Sequence, residues 1–213
     1  MILHDFFRSG TSHRLRIALN LKGIDYDRRP VSLPNQGHRE ASYLRLNPQG
    51  LVPTLEDGGG AMVQSPAILE WLEEVYPDPP LLPVQPAARQ RVRAMAALVG
   101  CDIHPLNNLR VLTRLRQTHG FDEAAVLAWC TTWIESGFSA LEAMLARVGS
   151  ERFCHGDTPS LADCYLIPQV YSARRFNVDL APYPHILAID AHCATLEAFI
   201  QAHPDRQPDA PSP

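Results

Sequence analysis

Three hydroxyl side chains and a glycine stand between an apolar run and a helical pattern near the start of the chain. Ser9, Thr11 and Ser12 follow the run 2–7, which predicts a strand, and precede apolar residues at helical spacing that end at Gly23. We therefore expect the hydroxyls in a loop that opens a helix. A helix N-terminus offers unpaired N–H groups and partial positive charge, which suits an anion. Spacing alone favours the simpler interpretation, in which one hydroxyl only caps the helix.

A second group of polar residues lies within 101–110, in the later half of the chain. His104 and Asn108 are four residues apart and are predicted to share one helix face, with Arg110 beside it. Pro105 is expected to kink this helix. Such side chains could line a pocket for an anion, or they could make a contact between helices or between two copies of the chain.

Strand and helix signals alternate over about the first eighty residues. A short, poorly amphipathic helix is predicted for 38–46, and Gln64-Ser65-Pro66 starts another, with Ser65 as its cap and Pro66 at its first position. The predicted order is a βαβ unit followed by a β-hairpin and a helix, with strands at 2–7, 26–33, 51–55 and 61–63.

A proline-rich stretch at 76–83 separates this pattern from a purely helical one. Four prolines within eight residues cannot continue a helix, so they predict a linker. We therefore predict domains at 1–79 and 86–203, followed by a mobile tail at 204–213.

The region after the linker shows helical apolar stripes and one clear start signal. Ser160-Leu161-Ala162-Asp163 has the spacing of a capping box, with Asp in place of the usual Glu. Pro184 is predicted to open a last helix that runs past Ile200. These signals predict an all-helical second domain.

Composition limits the possible partners. The 213 residues carry a formal net charge of −4 and are 46% hydrophobic, enough for a buried core and without the excess positive charge typical of nucleic-acid binding. Lys22 is the only lysine. Genomic codon bias explains the preference for arginine as simply as carboxylate binding does.

Five widely spaced cysteines include no Cys-x-x-Cys pair, which predicts neither a disulfide framework nor a metal site. No signal-like segment precedes the first strand, and no run of about 18 apolar residues occurs. We therefore expect a cytoplasmic protein that does not associate with membranes.

Several motifs in order resemble the zeta class of glutathione transferases, which includes maleylacetoacetate and maleylpyruvate isomerases. The more specific ones are Arg-Leu-Arg-Ile-Ala-Leu at 14–19 and Arg-Phe-x-Val-Asp-Leu at 175–180. Asn-Pro, Val-Pro and Gln-Ser pairs that many glutathione transferases share occur at 47–48, 52–53 and 64–65. Gly10 and Thr11 replace the second serine and the cysteine of the family's loop, so that the loop looks more like the maleylpyruvate branch.

The resemblance implies an α/β N-terminal thioredoxin-like domain plus an all-α C-terminal domain. It also implies a glutathione-dependent cis–trans isomerase that converts maleylpyruvate or maleylacetoacetate to the fumaryl isomer in aromatic catabolism, and a homodimer. The reaction needs a thiolate that adds next to a carbonyl, allows rotation and then leaves. No cysteine occurs in the first hundred residues, and glutathione would supply the thiol.

The resemblance also implies which residues hold glutathione. Gln64 and Ser65 would bind the γ-glutamyl end, and His38 would face the glycine end. Backbone groups of Val52, in a cis peptide with Pro53, would bind the cysteinyl part. The same cofactor-binding set includes Asp102. Without the resemblance, Ser65 is a simple helix cap and His38 a surface residue.

The candidate catalytic residues fall into two groups, of which His104, Asn108 and Arg110 come from the polar cluster described above and Arg175 from the resemblance. Ser9 or Thr11 would hydrogen-bond the sulfur and favour its ionised form. The others would bind an acidic substrate: Arg8, His104, Asn108, Arg110 and Arg175. Arg14 and Arg16 are interpreted as structural ion-pair residues.

Two alternative functions remain at the level of the sequence. A general glutathione-conjugating transferase or peroxidase of the same fold would have an apolar substrate pocket, whereas the cluster around His104 is polar. A non-catalytic transferase-like interaction module would lack the glutathione-binding residues, yet Ser9, Gln64 and Ser65 are present.

Overall fold

The computed structural model describes residues 1–149 and 152–211. They form two compact units, one of Met1–Leu81 with Ala194–Pro213 and one of Leu82–Cys193. The chain thus returns to its first unit after completing the second. The unit bounds differ from the domains expected at 1–79 and 86–203, because the last helix packs on the first helix of the chain.

The first unit is built on a four-stranded mixed sheet. Its strands are β1 (Ile2–Asp5), β2 (Asp27–Pro30), β3 (Thr54–Asp57) and β4 (Gly60–Val63). They lie in the order β2-β1-β3-β4, with β1 parallel to β2 and antiparallel to β3, and β3 antiparallel to β4. This is the βαβ unit plus hairpin that the sequence predicts, in the arrangement of a thioredoxin-like domain.

Three helices of the first unit precede the linker: α1 (Gly10–Leu21), α2 (Ala41–Leu46) and α3 (Ser65–Val75). All residues of α1 from Ser12 to Leu19 are buried, as expected of a helix inside a core rather than on its surface. The buried residues include two arginines, Arg14 and Arg16, and a buried guanidinium requires hydrogen-bond partners.

Two helix starts in this unit differ from prediction. The segment predicted as one helix at 38–46 is a 3-10 turn at Gly37–Arg39 followed by α2, because Glu40 between them is extended. Helix α3 has Gln64 rather than Ser65 at its N-cap, and Gln64 has a positive φ of 68°. The chain therefore turns sharply one residue earlier than the serine signal indicates.

The second unit is all helical: α4 (Pro86–Ala97), α5 (Leu109–His119), α6 (Glu123–Val148), α7 (Leu161–Arg175) and α8 (Pro184–Cys193). The predicted capping box at the start of α7 is confirmed by reciprocal hydrogen bonds between Ser160 and Asp163. The fold is thus an α/β thioredoxin-like domain with an all-α domain.

The predicted helix through 101–110 is wrong. Residues Leu98–Ile103 form a π-helical segment, His104–Asn107 form a 3-10 turn, and Asn108 is extended. Pro105 has no N–H to continue a helical ladder. His104 and Asn108 consequently do not share a face of one helix.

The last predicted helix also breaks in two. Helix α8 ends at Cys193, and α9 (Glu197–Ala202) belongs to the first unit, where it packs on α1. The tail predicted to be mobile from 204 starts with a 3-10 turn at Pro204–Arg206, and Asp209 accepts a hydrogen bond from the Phe7 backbone. The tail is held because its polar groups complete bonds within the first unit.

Candidate active site

Ser9 lies at the junction between β1 and α1. Its backbone is extended, and its side-chain oxygen accepts a hydrogen bond from the Ser12 N–H at 3.3 Å, so that it is the N-cap of α1. The Ser9 N–H donates to the Phe6 carbonyl at 3.0 Å. Of the three hydroxyls considered, Ser9 therefore caps the helix, at the point where the helix dipole is positive.

A hydrogen-bonded chain connects Ser9 to the backbone of Val52. The Thr11 Oγ1 lies 2.9 Å from the Val52 carbonyl oxygen and 3.0 Å from the Ser9 Oγ. A carbonyl oxygen only accepts, so the single Thr11 proton points to Val52. In the contact between the two hydroxyls Ser9 is then the donor, and its proton is the one that can turn toward a ligand without breaking a bond to the backbone.

The peptide groups before and after Val52 both have a fixed geometry. Its peptide bond to Pro53 is cis, as predicted. The preceding Leu51 carbonyl accepts hydrogen bonds from the Tyr43 hydroxyl at 2.6 Å and the Asn47 side-chain amide at 2.8 Å. Both donors also contact the buried Thr54 hydroxyl. The Asn-Pro motif thus acts as a support for the loop that presents the Val52 backbone.

Ser65 is buried at the first position of α3. Arg14 donates from Nη1 to the Ser65 Oγ at 3.0 Å. Because a lone pair of the oxygen receives the Arg14 proton, the Ser65 hydroxyl proton is free to donate to an acceptor at the helix N-terminus. The arrangement suits a carboxylate. Arg14, interpreted from sequence as a structural ion-pair residue, thus also bonds a neutral hydroxyl.

Gln64 and His38 lie on neighbouring parts of the same unit. The exposed Gln64 side chain donates to the Gln49 side-chain oxygen. His38 lies in the 3-10 turn, and Gly50 passes so close that an added Cβ would be 2.8 Å from the His38 carbonyl. Desolvation by burial, with the nearby Arg39, lowers the pKa of His38. A neutral imidazole at this place would hydrogen-bond a carboxylate rather than form an ion pair.

Arg8 lies three residues after the end of β1 and is exposed. Its guanidinium lies 5.8 Å from the centroid of the Phe7 ring, whose side chain is buried. Arg16 fulfils its predicted structural role, because its Nη1 lies 2.6 Å from the Asp5 carboxylate and both side chains are fully buried. The first unit therefore brings Ser9 and Thr11 together, whereas the Arg8 guanidinium contacts the Phe7 ring.

The remaining predicted residues lie in the second unit. Asn108 caps α5 by accepting from the Arg110 N–H at 3.2 Å, and the Arg110 side chain is exposed. Asp102 is exposed in the π-helical segment, and the half-buried His104 follows it. Local chain geometry thus keeps Asn108 and Arg110 adjacent.

Arg175 ends helix α7. It is exposed, and its guanidinium lies 4.6 Å from the centroid of the Phe176 ring. Burial raises the pKa of the Cys130 thiol to about 11, although the positive charges of Arg175 and Arg116 act in the opposite direction. Cys130 is therefore an unreactive thiol at neutral pH, in keeping with a thiol supplied from outside the chain.

Other site types are not indicated in the described ranges. Residues 1–149 and 152–211 contain no group of three or more His, Cys, Asp and Glu side chains placed to hold a metal ion. Within the same ranges, none of the helices combines the length and apolarity that crossing a bilayer requires.

Sequence reasoning missed the contacts that support Thr11 and Ser65. The bonds from Thr11 to Val52 and from Arg14 to Ser65 join positions 41 and 51 residues apart. No local spacing signals such pairs, although the buried arginine in a helix opened by hydroxyls is a clue that a polar partner must be near.

Two family models match the chain. The model of the glutathione S-transferase N-terminal domain covers residues 8–75, and that of the C-terminal domain covers residues 128–189. A maleylpyruvate isomerase of Ralstonia is 60% identical, with 99% of this chain and 100% of the relative covered. A maleylacetoacetate isomerase of Pseudomonas aeruginosa is 50% identical, with 100% of both covered.

Solved structures match the chain over nearly its full length as well. A holo maleylpyruvate isomerase, described as a bacterial zeta-class glutathione S-transferase, has a TM-score of 0.97 at 60% identity, over 99% of this chain and 100% of that one. A maleylacetoacetate isomerase of Methylobacterium extorquens with bound malonate and glutathione has a TM-score of 0.95 at 40% identity, over the full length of both. The chain therefore belongs to the glutathione S-transferase family, and within it to the zeta class that contains maleylpyruvate and maleylacetoacetate isomerases.

Proposed function

We propose that this chain is a glutathione-dependent cis–trans isomerase that turns over maleylpyruvate at least as well as maleylacetoacetate. The observation that carries the proposal is the Ser-Gly-Thr loop, in which Thr11 is committed to the Val52 carbonyl and Ser9 retains a hydroxyl proton for a ligand. The full-length likeness to a maleylpyruvate isomerase and to structures with bound glutathione supports it.

Residues of the first unit fit the parts of glutathione. The Ser65 hydroxyl at the N-terminus of α3, with the Gln64 side chain, would hold the γ-glutamyl carboxylate. The Val52 backbone would bind the cysteinyl part, and His38 would donate to the glycine carboxylate. We assign Asp102 to the same cofactor, where a carboxylate suits the γ-glutamyl ammonium group.

Ser9 acts on the sulfur by donating a hydrogen bond from its hydroxyl group, which stabilises the thiolate form. When bound, glutathione supplies the nucleophilic sulfur that adds beside the substrate carbonyl and departs after rotation about the former double bond. Thr11 keeps Ser9 and the Val52 carbonyl at a fixed separation throughout. Arranging these donors before reaction is what makes them effective.

Positive charge for an acidic substrate comes from three arginines in this proposal, and His104 adds a hydrogen-bond donor. Arg8, Arg110 and Arg175 would bind carboxylates, and His104 would donate to the carbonyl oxygen as negative charge develops on it. Asn108, fixed as the cap of α5, would add a neutral donor. The malonate and citrate bound in related isomerase structures support a site for small anions that carry two or more carboxylates.

We also propose that the protein works as a cytoplasmic homodimer. All five cysteines, each among the described residues, are free thiols, which suits a reducing compartment. Sedimentation of the purified protein would measure the assembly directly, and a monomer at micromolar concentration would contradict the dimer.

A turnover assay tests the proposed function. Purified protein is mixed with maleylpyruvate, and formation of the fumaryl isomer is measured with glutathione, without it, and with the S-methyl derivative that has no free thiol. We expect turnover only with free glutathione. Equal turnover without the thiol would contradict the proposal, and conjugation of an electrophilic aromatic substrate without isomerisation would favour a general transferase.

A further inference from the structure

The peptide groups before and after Phe7 are both hydrogen-bonded to side chains. The Phe7 N–H donates to Asp209 Oδ2 at 3.1 Å, and the Phe7 carbonyl accepts from Arg16 Nη2 at 2.8 Å. One partner comes from α1, and the other lies 202 residues away near the end of the chain. A backbone held at both its donor and its acceptor loses most of its freedom to rotate.

A partly buried network of charges supports these two hydrogen bonds. Arg28 donates from Nη2 to Asp209 Oδ1 at 2.9 Å and to Asp5 Oδ1 at 2.6 Å. Asp5, which is fully buried, also accepts from Arg16 at 2.6 Å. Two guanidinium groups and two carboxylates thereby compensate one another. Removing Asp209 leaves the Phe7 N–H without this acceptor and Arg28 with one carboxylate fewer.

The residues just beyond Phe7 are those assigned to chemistry. Arg8 rests over the Phe7 ring at 5.8 Å, and the Ser9 N–H donates to the carbonyl of Phe6. The orientation of the Phe7 backbone therefore sets where the Arg8 side chain and the Ser9 hydroxyl begin. A rotation at Phe7 would move both.

The segment that delivers Asp209 is itself well anchored. We call residues 203–209 the C-terminal strap. Gln207 is buried and donates from its side chain to the carbonyls of Gln201 at 2.7 Å and His203 at 2.8 Å. Pro204 is also buried. The strap is thus a packed part of the first unit.

We propose that Asp209 is a positioning residue for the reaction, which acts through the Phe7 backbone to hold Arg8 and Ser9 in place. This inference rests on the role of Ser9 in the proposed function. The C-terminal strap would then be part of the glutathione-activating apparatus, even though Asp209 touches neither glutathione nor substrate.

The alternative is that Asp209 only fastens the tail and stabilises the fold. Both ideas predict a lower melting temperature for Asp209→Ala, because the variant removes an ion pair and a backbone acceptor. Both ideas also predict faster exchange of the Phe7 amide, because its acceptor is removed. They differ in what happens well below the melting temperature. Only a positioning role changes the ionisation of bound glutathione in protein that is still folded.

The test compares Asp209→Ala and Asp209→Asn with wild type and with Asp205→Asn. Asp205 is a matched control, because it lies on the same strap with its side chain 70% exposed, near His203 at 3.7 Å. Three readouts are taken at a temperature where every variant is folded. They are hydrogen exchange at the Phe7 amide, the apparent pKa of bound glutathione from thiolate absorbance, and kcat and KM for glutathione.

For Asp209→Ala we expect Phe7 amide exchange to accelerate at least about tenfold. The thiol pKa should rise and kcat should fall about tenfold, with KM for glutathione changed less than about threefold, because misplaced groups cost rate more than binding. Asp209→Asn should show a smaller effect in the same direction. Its one amide oxygen can replace the acceptor of either the Phe7 N–H or Arg28, and its NH₂ group then faces the other donor. Asp205→Asn should match wild type.

Faster Phe7 exchange with a lower melting temperature but an unchanged thiol pKa would overturn the positioning role. The thiol measurement needs no turnover. If wild type fails to isomerise maleylpyruvate, the substrate assignment fails alone, and the thiol pKa still decides the role of Asp209.

Discussion

At the scale of single residues, the two hydroxyls of the loop differ in what their protons already do. Thr11 donates to the Val52 carbonyl at 2.9 Å, whereas Ser9 donates to Thr11. Turning the Ser9 proton to a sulfur exchanges one hydroxyl contact for another. Turning the Thr11 proton leaves a carbonyl without its donor, which costs more. The structure therefore favours Ser9 as the group on the sulfur.

We predict that Ser9→Ala slows turnover by about a hundredfold or more, the cost of losing one donor to a reacting charge. Binding of glutathione should weaken far less, because many other contacts remain. Steady-state kinetics and a thiolate titration measure the two effects. The comparison variant is Thr11→Ala. If Ser9→Ala is nearly silent while Thr11→Ala is not, their roles are exchanged.

A second prediction concerns the arginines assigned to the substrate. Arg110→Ala and Arg175→Ala should each raise KM for maleylpyruvate, because a lost guanidinium removes a carboxylate partner; kcat should fall too if the group also steadies developing charge. Arg91, exposed on α4, supplies a control variant, Arg91→Ala, with the same change of net charge. Equal effects from all three would mean that only long-range charge is measured.

At the scale of elements, helix α7 starts from a fully buried carboxylate. Asp163 accepts from the Cys154 N–H at 2.8 Å and from both the N–H and the hydroxyl of Ser160 at 2.7 Å. These bonds fix the loop before α7 as well as the helix start. The motif that the sequence marks as a capping box is thus also a junction between two segments.

We expect Asp163→Ala to lower the free energy of unfolding of the second unit by about 3 kcal/mol, because buried N–H groups lose their acceptor. Asp122→Ala provides the matched cap at an exposed helix start, where Asp122 accepts from the Ala125 N–H at 2.8 Å. Its cost should be about 1 kcal/mol. Urea unfolding followed by tryptophan fluorescence measures both, and equal costs would show that burial adds nothing.

At the scale of the whole molecule, the question is which acid the enzyme prefers. We predict that maleylpyruvate is turned over at least as well as maleylacetoacetate. Its second carboxylate is one carbon nearer the reacting ketone than that of maleylacetoacetate, which brings negative charge closer to where the assigned cationic groups act. The measurement is kcat/KM for both substrates at saturating glutathione. Good turnover of maleylacetoacetate with negligible turnover of maleylpyruvate would refute this preference while leaving the isomerase assignment intact.

Local signals in the sequence determined most of the first unit. Its βαβ order and hairpin follow from short apolar runs and glycine turns. In the second unit, the spacing of four residues predicts the capping box at Ser160 and Asp163. These elements are set by contacts between near neighbours, which spacing reveals. The zeta-class motifs predicted the family and the cis peptide at Val52-Pro53, and both are confirmed. They also pointed to candidate site residues, whose roles stay predictions.

Only the tertiary structure decided how those residues are supported. Helical spacing placed His104 and Asn108 on one face, but the chain leaves the α-helix before Pro105 and restarts at the Asn108 cap. The tail appeared free because proline-rich sequence has no periodicity. Asp209 nevertheless finds Phe7 and Arg28. Buried charges and backbone groups take their partners from wherever folding brings them, and those distances are not written in sequence spacing.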